Sequence, residues 1–447
     1  MKIVVETEPL FTDGEHDVFF NRGVASSQAY QRRFGNVAPD KLETQEKQAE
    51  ALQWLSRDLD EAMIRFIDQA EAGDTLLGCF YEFRYLPVAL RLKAALERGV
   101  KVQLILDSKE NSRTDKDGKF HESFPKVENQ KTVKAAKIPA KAIACWRQNN
   151  RSNIQHNKFL VLLRAAPGDR PDEVWTGSTN LSNGGVHGQT NVGHWVGNAA
   201  VAADFAAYWT LLKDDPGAVD GETAAQSKKR RGDYRKAVMD LRVVPTRWAD
   251  IAVGVTSIFS PRAGSAVLDM YVDALDKSSI SGGVTLAFGI GKAFKEALVD
   301  NIAAPGITPP ILFLLLEKKD KPNPKSKTPF IPLTAKHNVY KAWGSYLRDP
   351  VYQWARETNA RMLAIRGNER VADIYFTEFN RLFNHYYFRS VRESLFNKAP
   401  KEANGAADTS ASLFLDETGK WLEKYEPGDL RRKRVEVYTQ MANARTL

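Results

Sequence analysis

The sequence predicts an α/β fold built as two similar halves, each a mixed β-sheet flanked by helices, the two related by a pseudo-twofold axis. Three observations predict it. Apolar strand-like runs alternate with helical periodicities across short joints, the signature of parallel or mixed sheets covered by helices. A Gly-Asn-x-x-Val-Ala run at Gly197 recurs at Gly367. With 447 residues, 43% hydrophobic and 27% charged, the chain suits two or three globular domains and excludes whole-chain disorder.

In chain order, residues 1–53 read as a polar N-terminal extension with a short apolar stretch at Val18, Phe19 and Phe20. From Trp54, residues Leu55, Leu59, Met63, Phe66, Ile67 and Ala70 recur at helical spacing and predict one helix ending at Gly73-Asp74. A strand over 75–83, a helix over 87–98 closed by Gly99, and a strand over 100–106 with Asp107 at its end complete a strand–helix–strand unit. Residues 108–137 are charged and weakly patterned, an exposed excursion. Strands follow at 159–163, 174–176 and 191–196, then a helix over 198–212, closing a first half at 54–213. Residues 214–249 read as a linker, with the basic run Lys228-Lys229-Arg230-Arg231 as a solvated loop or helix end or, alternatively, a phosphate contact surface. A second half spans 250–390, and 391–447 form a C-terminal extension.

The second half repeats the first. Phe205, Trp209 and Leu212 fall opposite Tyr375, Phe379 and Leu382; residues 285–290 match the strand opening at Thr75, 310–316 match the one at Val100, and Lys341-Ala342-Trp343 matches Ala144-Cys145-Trp146. The interval from Trp146 to Gly197 is longer than that from Trp343 to Gly367, by about the length of residues 156–180. One specific block is missing from the second copy.

That block carries the polar chemistry. It reads His156-Asn157-Lys158 ahead of an apolar run, then Gly177-Ser178-Thr179-Asn180 after a second one. Side chains alternate along a strand, so His156 and Lys158 share a face. A neutral imidazole can attack phosphorus while an adjacent ammonium neutralises the non-bridging oxygens. Gly177 lets backbone approach a ligand, and Ser178 and Asn180 add small hydrogen-bonding groups.

In this the chain resembles the phospholipase D superfamily, whose members carry His-x-Lys followed by Gly-Ser-x-Asn in each of two halves. The resemblance extends over roughly residues 54–389, including Phe259-Ser260-Pro261-Arg262 and Arg381-Leu382-Phe383-Asn384-His385. It implies metal-independent phosphodiester chemistry through a covalent phosphohistidine at a cleft shared by the halves, with no cofactor. By the same resemblance His156 is the nucleophile, Lys158 a phosphate clamp, and Asn180, Ser178 and Gly177 hold the phosphate. The sequence departs from the family in three places. Leu163 stands where an Asp follows the Lys, Val192-Gly193 follow Asn191 where the family has x-Glu, and the second half has no His-x-Lys.

His187, His194 and His385 are expected to pack or hydrogen-bond, and His16 and His121 to be exposed. Glycines at Ser281-Gly282-Gly283 and Gly289-Ile290-Gly291 read as turns. Cys79 and Cys145 make neither a disulfide framework nor a zinc site. A net charge of +9 fits a nucleic acid or an anionic phospholipid as partner. The longest aliphatic run, 311–316, falls short of the about 20 residues of a membrane span. Met1 to Glu6 lack an apolar signal core, so the expected location is cytoplasmic. The readings that compete are a phosphodiesterase acting on nucleic acid, one acting on phospholipid, a degenerate phosphate-binding protein, and a homodimer completing the site with a second His156.

Overall fold

The computed structural model describes residues 11–396 and 432, apart from 13, 24–27, 150–154, 167, 287–288, 303–304, 306–308, 317–318, 325–328 and 344–363. The chain divides into two compact units. The first comprises Met1–Ser26, Asn36–Leu268 and Arg348–Glu378, the second Ser27–Gly35, Asp269–Leu347 and Phe379–Leu447.

The first unit is organised on an eight-stranded mixed sheet, ordered β1-β2-β10-β9-β8-β3-β4-β7. Its strands are β1 (Phe11–Thr12), β2 (His16–Phe20), β3 (Thr75–Phe80), β4 (Lys101–Asp107), β7 (Ile143–Arg147), β8 (Lys158–Arg164), β9 (Arg170–Gly177) and β10 (Val192–Val196). β3, β4 and β7 are parallel; the rest pair antiparallel, with β8 beside β3. The central strands are apolar on both faces because both are covered. On one side Leu76, Phe80, Leu104 and Leu160 pack with α3 (Leu59–Asp68) and α4 (Leu86–Glu97). On the other Leu77, Cys79, Ile105 and Val161 meet α7 (Ala199–Lys213) and Val238 of α8 (Ala224–Leu241). The odd–even split of β3 between two cores follows from strand alternation. The remaining elements are α2 (Gln45–Ser56), a hairpin of β5 (Arg113–Thr114) and β6 (Phe120–His121), α5 (Lys126–Ala135) and α6 (Asn183–His187). A small antiparallel pair, β11 (Gly254–Thr256) with β15 (Ala364–Arg366), completes the first unit.

The second unit holds α1 (Gln28–Phe34), most of α9 (Ala266–Asp276), α10 (Lys292–Leu298) and a three-stranded parallel sheet. The sheet is ordered β12-β13-β14, with β12 (Ser281–Leu286), β13 (Ile311–Leu316) and β14 (Val339–Trp343). Leu312, Leu314 and Leu316 pack there against Val272, Phe294 and Leu298. The last helix, α11 (Glu369–Phe396), begins in the first unit and continues in the second.

Several local expectations are corrected. The single helix from Trp54 is two helices, because Arg57 and Asp58 take positive φ of 50° and 68° and turn the chain. The excursion 108–137 contains a hairpin and α5. The basic run at Lys228 lies inside α8, whose Thr223 caps the helix in a reciprocal box with Gln226. Ser281, Gly282 and Gly283 form the first half of β12 rather than a turn, so the counterpart of β3 begins at Ser281 and not at Thr285. Met1 to Glu6 lie outside the described residues. Among the described residues no helix is long and apolar enough to cross a membrane.

Candidate active site

The C-terminal end of β3 assembles the site. Past Phe80, the Tyr81 N–H donates to Asn157 O at 2.9 Å and the Arg84 N–H to Leu181 O at 2.8 Å. The His156–Lys158 segment and the Ser178–Leu181 segment are thereby fastened to the same short stretch, residues 81–84. The register agrees: Phe80 pairs with Lys158 across β3 and β8, and Phe159 with Thr176 across β8 and β9. All five sequence-predicted site residues fall where β8 starts and β9 ends.

Both residues beside His156 are pinned. The Gln155 side chain accepts from the Asn157 N–H at 3.1 Å and donates to Phe80 O at 3.3 Å, and the Gln155 N–H donates to the Asp107 carboxylate. His156 is 8% exposed, with its ring centre 5.0 Å from that of Tyr81. Lys158 is 4% exposed; its ammonium donates to His156 O at 3.0 Å and lies 5.7 Å from the Tyr81 ring centre. A buried ammonium held in place by the His156 backbone carbonyl is a preorganised positive charge.

Across from it, Asn180 Nδ2 donates to Glu82 Oε1 at 3.0 Å, and Arg84 Nε donates to the other oxygen of Glu82 at 2.8 Å. Ser178 donates to Asn191 Oδ1 at 2.9 Å and accepts from the Val192 N–H at 3.0 Å; Asn191 in turn donates to Gly185 O at 2.7 Å. Gly177 and Gly185 are required by geometry. Gly177 takes φ +148°, and a Cβ there would lie 2.2 Å from Val192 O, while a Cβ on Gly185 would lie 2.2 Å from Asn180 O.

Burial raises the Asp107 carboxyl to about 6, against the N–H groups of Lys109 and Gln155 and the charge of Arg147, which lower it. The Tyr81 phenol is raised first by burial, then by Asp107 and Glu82. Sequence reasoning missed Glu82 and Tyr81 and noted Asp107 only as a strand end. The available signal was Tyr81, Glu82 and Arg84, polar residues terminating a strand apolar at both faces. Val192 and Gly193 follow Asn191, and the carboxylate that reaches the Gly-Ser-x-Asn segment is Glu82, from the segment just past β3.

The other histidines lie elsewhere. His16, expected to be exposed, is 2% exposed, because β2 joins the main sheet beside β10; its Nδ1 is 2.9 Å from His194 Nε2, and His194 Nδ1 is 3.0 Å from the Tyr375 hydroxyl. His187 is buried against Tyr85, and burial lowers it to about 4. His121 is half-buried and paired with Asp115 at 2.8 Å, His337 caps a short turn at Thr334, and His385 packs against Tyr386. The packing roles expected of His187, His194 and His385 match these contacts.

Residues 63–210, from α3 to α7, match the family model described as cardiolipin synthase, PLD-like domain. No curated protein matches the chain. Among solved structures, the chain is similar to Nuc from Salmonella typhimurium, a phospholipase D family member, at 20% identity over 34% of this chain and 84% of that one, TM-score 0.25. It is similar to NucT from Helicobacter pylori at 14% identity over 45% and 96%, TM-score 0.28. Phosphatidylserine synthase from Haemophilus influenzae Rd KW20 aligns at 11% identity over 75% and 87%, TM-score 0.41. The match covers the strands that bear His156 and lead to Asn180, so residues 63–210 are similar to a phospholipase D-like domain.

Proposed function

We propose that this protein is a metal-independent phosphodiesterase that works through a phosphohistidine at His156, with nucleic acid as its substrate. The observation that carries the reading is the convergence of His156, Lys158 and Asn180 on residues 81–84, inside the matched domain. In the first step a ring nitrogen of His156 bonds to phosphorus as the bond to the leaving oxygen breaks, and Lys158 and Asn180 offset charge on the phosphoryl oxygens. A proton from water reaches the leaving alkoxide. In the second step water attacks phosphorus, the P–N bond breaks, and a phosphate monoester leaves. No His-x-Lys stands in the second half to give and take these protons, so turnover is slower by about 10²–10⁴-fold than with a dedicated acid.

The charge of +9 supports a polyanionic substrate. A second reading, phospholipid as substrate, is favoured by the cardiolipin synthase description of the matched model. A third, a phosphate-binding protein without turnover, is favoured by the missing second motif. We carry the pseudo-twofold relation of 54–213 and 250–390, the linker at 214–249, dimerisation and a cytoplasmic location as parts of the same proposal. The test is hydrolysis of single- and double-stranded DNA, RNA and anionic liposomes in EDTA, each with the His156→Ala variant. Cleavage of a nucleic acid that is lost in the variant supports the reading; release of a lipid headgroup alone replaces the substrate; no cleavage of any overturns the enzyme.

A further inference from the structure

Tyr81 touches both side chains of the His-x-Lys pair, and its backbone is held from two directions. Its N–H donates to Asn157 O at 2.9 Å, and its carbonyl accepts from Asn129 Nδ2 at 2.8 Å. The same Asn129 amide donates to Asp107 O at 2.9 Å and accepts the Phe83 N–H at 2.6 Å, so α5 clamps the ends of β3 and β4 through one side chain. The Tyr81 ring centre is 5.0 Å from that of His156 and 5.7 Å from the Lys158 ammonium.

A ring held this firmly ends in an unused donor. Tyr81 is 9% exposed, and among the described residues its hydroxyl makes no hydrogen bond. Buried tyrosines ordinarily satisfy that group. Tyr85 and Tyr208, also buried, do so: Tyr85 donates to Asp60 at 2.6 Å and Tyr208 to Ser260 O at 2.8 Å. The carboxylates near Tyr81 are engaged elsewhere. Glu82 accepts from Asn180 and Arg84, and Asp107 accepts the N–H groups of Lys109 and Gln155. Burial, then Asp107 and Glu82, raise the phenol, so it stays protonated and offers a neutral O–H. An oxygen of a phosphoryl group bound against His156 and Lys158 supplies the acceptor it lacks.

We propose that the Tyr81 hydroxyl is a catalytic hydrogen-bond donor to a non-bridging oxygen of the phosphodiester, acting beside Lys158 and Asn180. The inference rests on the phosphohistidine reading above and adds to it a residue from outside the two motif segments. No proton changes hands: the O–H bond stays intact while the oxygen it faces gains charge in the transition state, where a fixed donor counts most.

The experiment compares wild type with Tyr81→Phe, which keeps the ring against His156 and removes one oxygen. A hydroxyl with no partner in the protein holds nothing together, so the variant melts no lower than the wild type. Binding of inorganic phosphate, followed by titration calorimetry in EDTA, weakens about ten-fold in the variant, as loss of a hydrogen bond to a charged group does. Hydrolysis is read on a thymidine dinucleotide and on phosphatidylglycerol liposomes side by side, and the one turned over names the source of the phosphodiester. On it kcat/KM falls about 10²–10³-fold, more than the phosphate affinity does. The proposal is overturned if the wild type binds no phosphate, or if Tyr81→Phe binds it as tightly as the wild type. A variant that melts several degrees lower also overturns it, because the hydroxyl is then structural. Phosphate binding that depends on Tyr81, with neither substrate cleaved, supports the donor and counts against the phosphodiesterase alone.

Discussion

β3, β4 and β7 in the first unit and β12, β13 and β14 in the second are both three parallel strands in chain order, and their registers coincide. Phe80 faces Leu106 and Leu106 faces Trp146 in one; Leu286 faces Leu316 and Leu316 faces Trp343 in the other. The repeat extends to a second feature, since β10 pairs antiparallel with β2 before Gly197 as β15 does with β11 before Gly367. The difference lies on the outer side of the first strand. β3 is paired by β8 and buried at all six positions, whereas β12 carries Gly282 and Gly283, is partly exposed, and among the described residues pairs with β13 alone. Parallel strands supply the scaffold in both places. The candidate site residues sit on the antiparallel pair β8 and β9, which has no counterpart among the described residues beside β12.

If that pair is the whole source of activity, the largest effect belongs to it. His156→Ala should lower turnover by about 10⁴-fold or more, as loss of a nucleophile does, and Lys158→Met by about 10²–10³-fold. His337→Ala, in the second copy, should stay within about two-fold. Steady-state rates in EDTA check all three.

A stability effect of about 3 kcal/mol follows from Asp107. Its folded-state value near 6 lies above the ordinary 3.8, so the folded protein holds that proton more tightly than the unfolded chain does. The contribution is full below about pH 4 and is lost as pH climbs through about 6, at about 1.36 kcal/mol for each pH unit separating the folded and unfolded values. His187, lowered to about 4, has the opposite sign and gains stability over the same range, so the whole-protein curve mixes the two. The difference between wild type and Asp107→Asn, followed by urea denaturation from pH 4 to 7, isolates Asp107. It should move in favour of the variant by about 3 kcal/mol, and a flat difference would contradict the buried placement.

Glycines sharpen the comparison at a smaller scale. A Cβ on Gly177 meets the Val192 carbonyl, which cannot yield, and adds a strained φ, so Gly177→Ala should cost about 2 kcal/mol or more. A Cβ on Gly283 of β12 meets only the Phe379 ring at 2.8 Å, and Gly283→Ala should cost about 1 kcal/mol. Thermal melts of the two variants should rank them in that order. A modest kinetic effect is expected at Glu82. Glu82→Gln keeps an acceptor for Asn180 but removes the charge facing Arg84, and kcat should fall about ten-fold with KM little changed.

Much of this arrangement was legible in the sequence. β8 and β9 announced themselves because buried central strands are continuous apolar runs, and His156, Lys158 and Asn180 stood out as polar residues at their ends. The helix expected over 198–212 is α7, and the structure adds that Asn198 caps it by accepting the Ala200 and Val201 N–H groups. The break between α2 and α3 was not legible, because its positive-φ residues are Arg57 and Asp58, neither a glycine. His16 could not be placed either, since its burial depends on β2 pairing with a strand nearly 180 positions later. Glu82 was hidden for the same reason: its role comes from Asn180, 98 residues away.

The most direct test of the claim that β8 and β9 hold a nucleophilic histidine is intact-mass and peptide analysis of protein rapidly denatured at alkaline pH during turnover. Alkaline quenching preserves a phosphorus–nitrogen bond. In EDTA, with a phosphodiester substrate in excess, the account predicts a covalent phosphoryl adduct on the peptide containing His156, absent from His156→Ala together with hydrolysis. Hydrolysis that persists in His156→Ala, or an adduct on another residue, would contradict it.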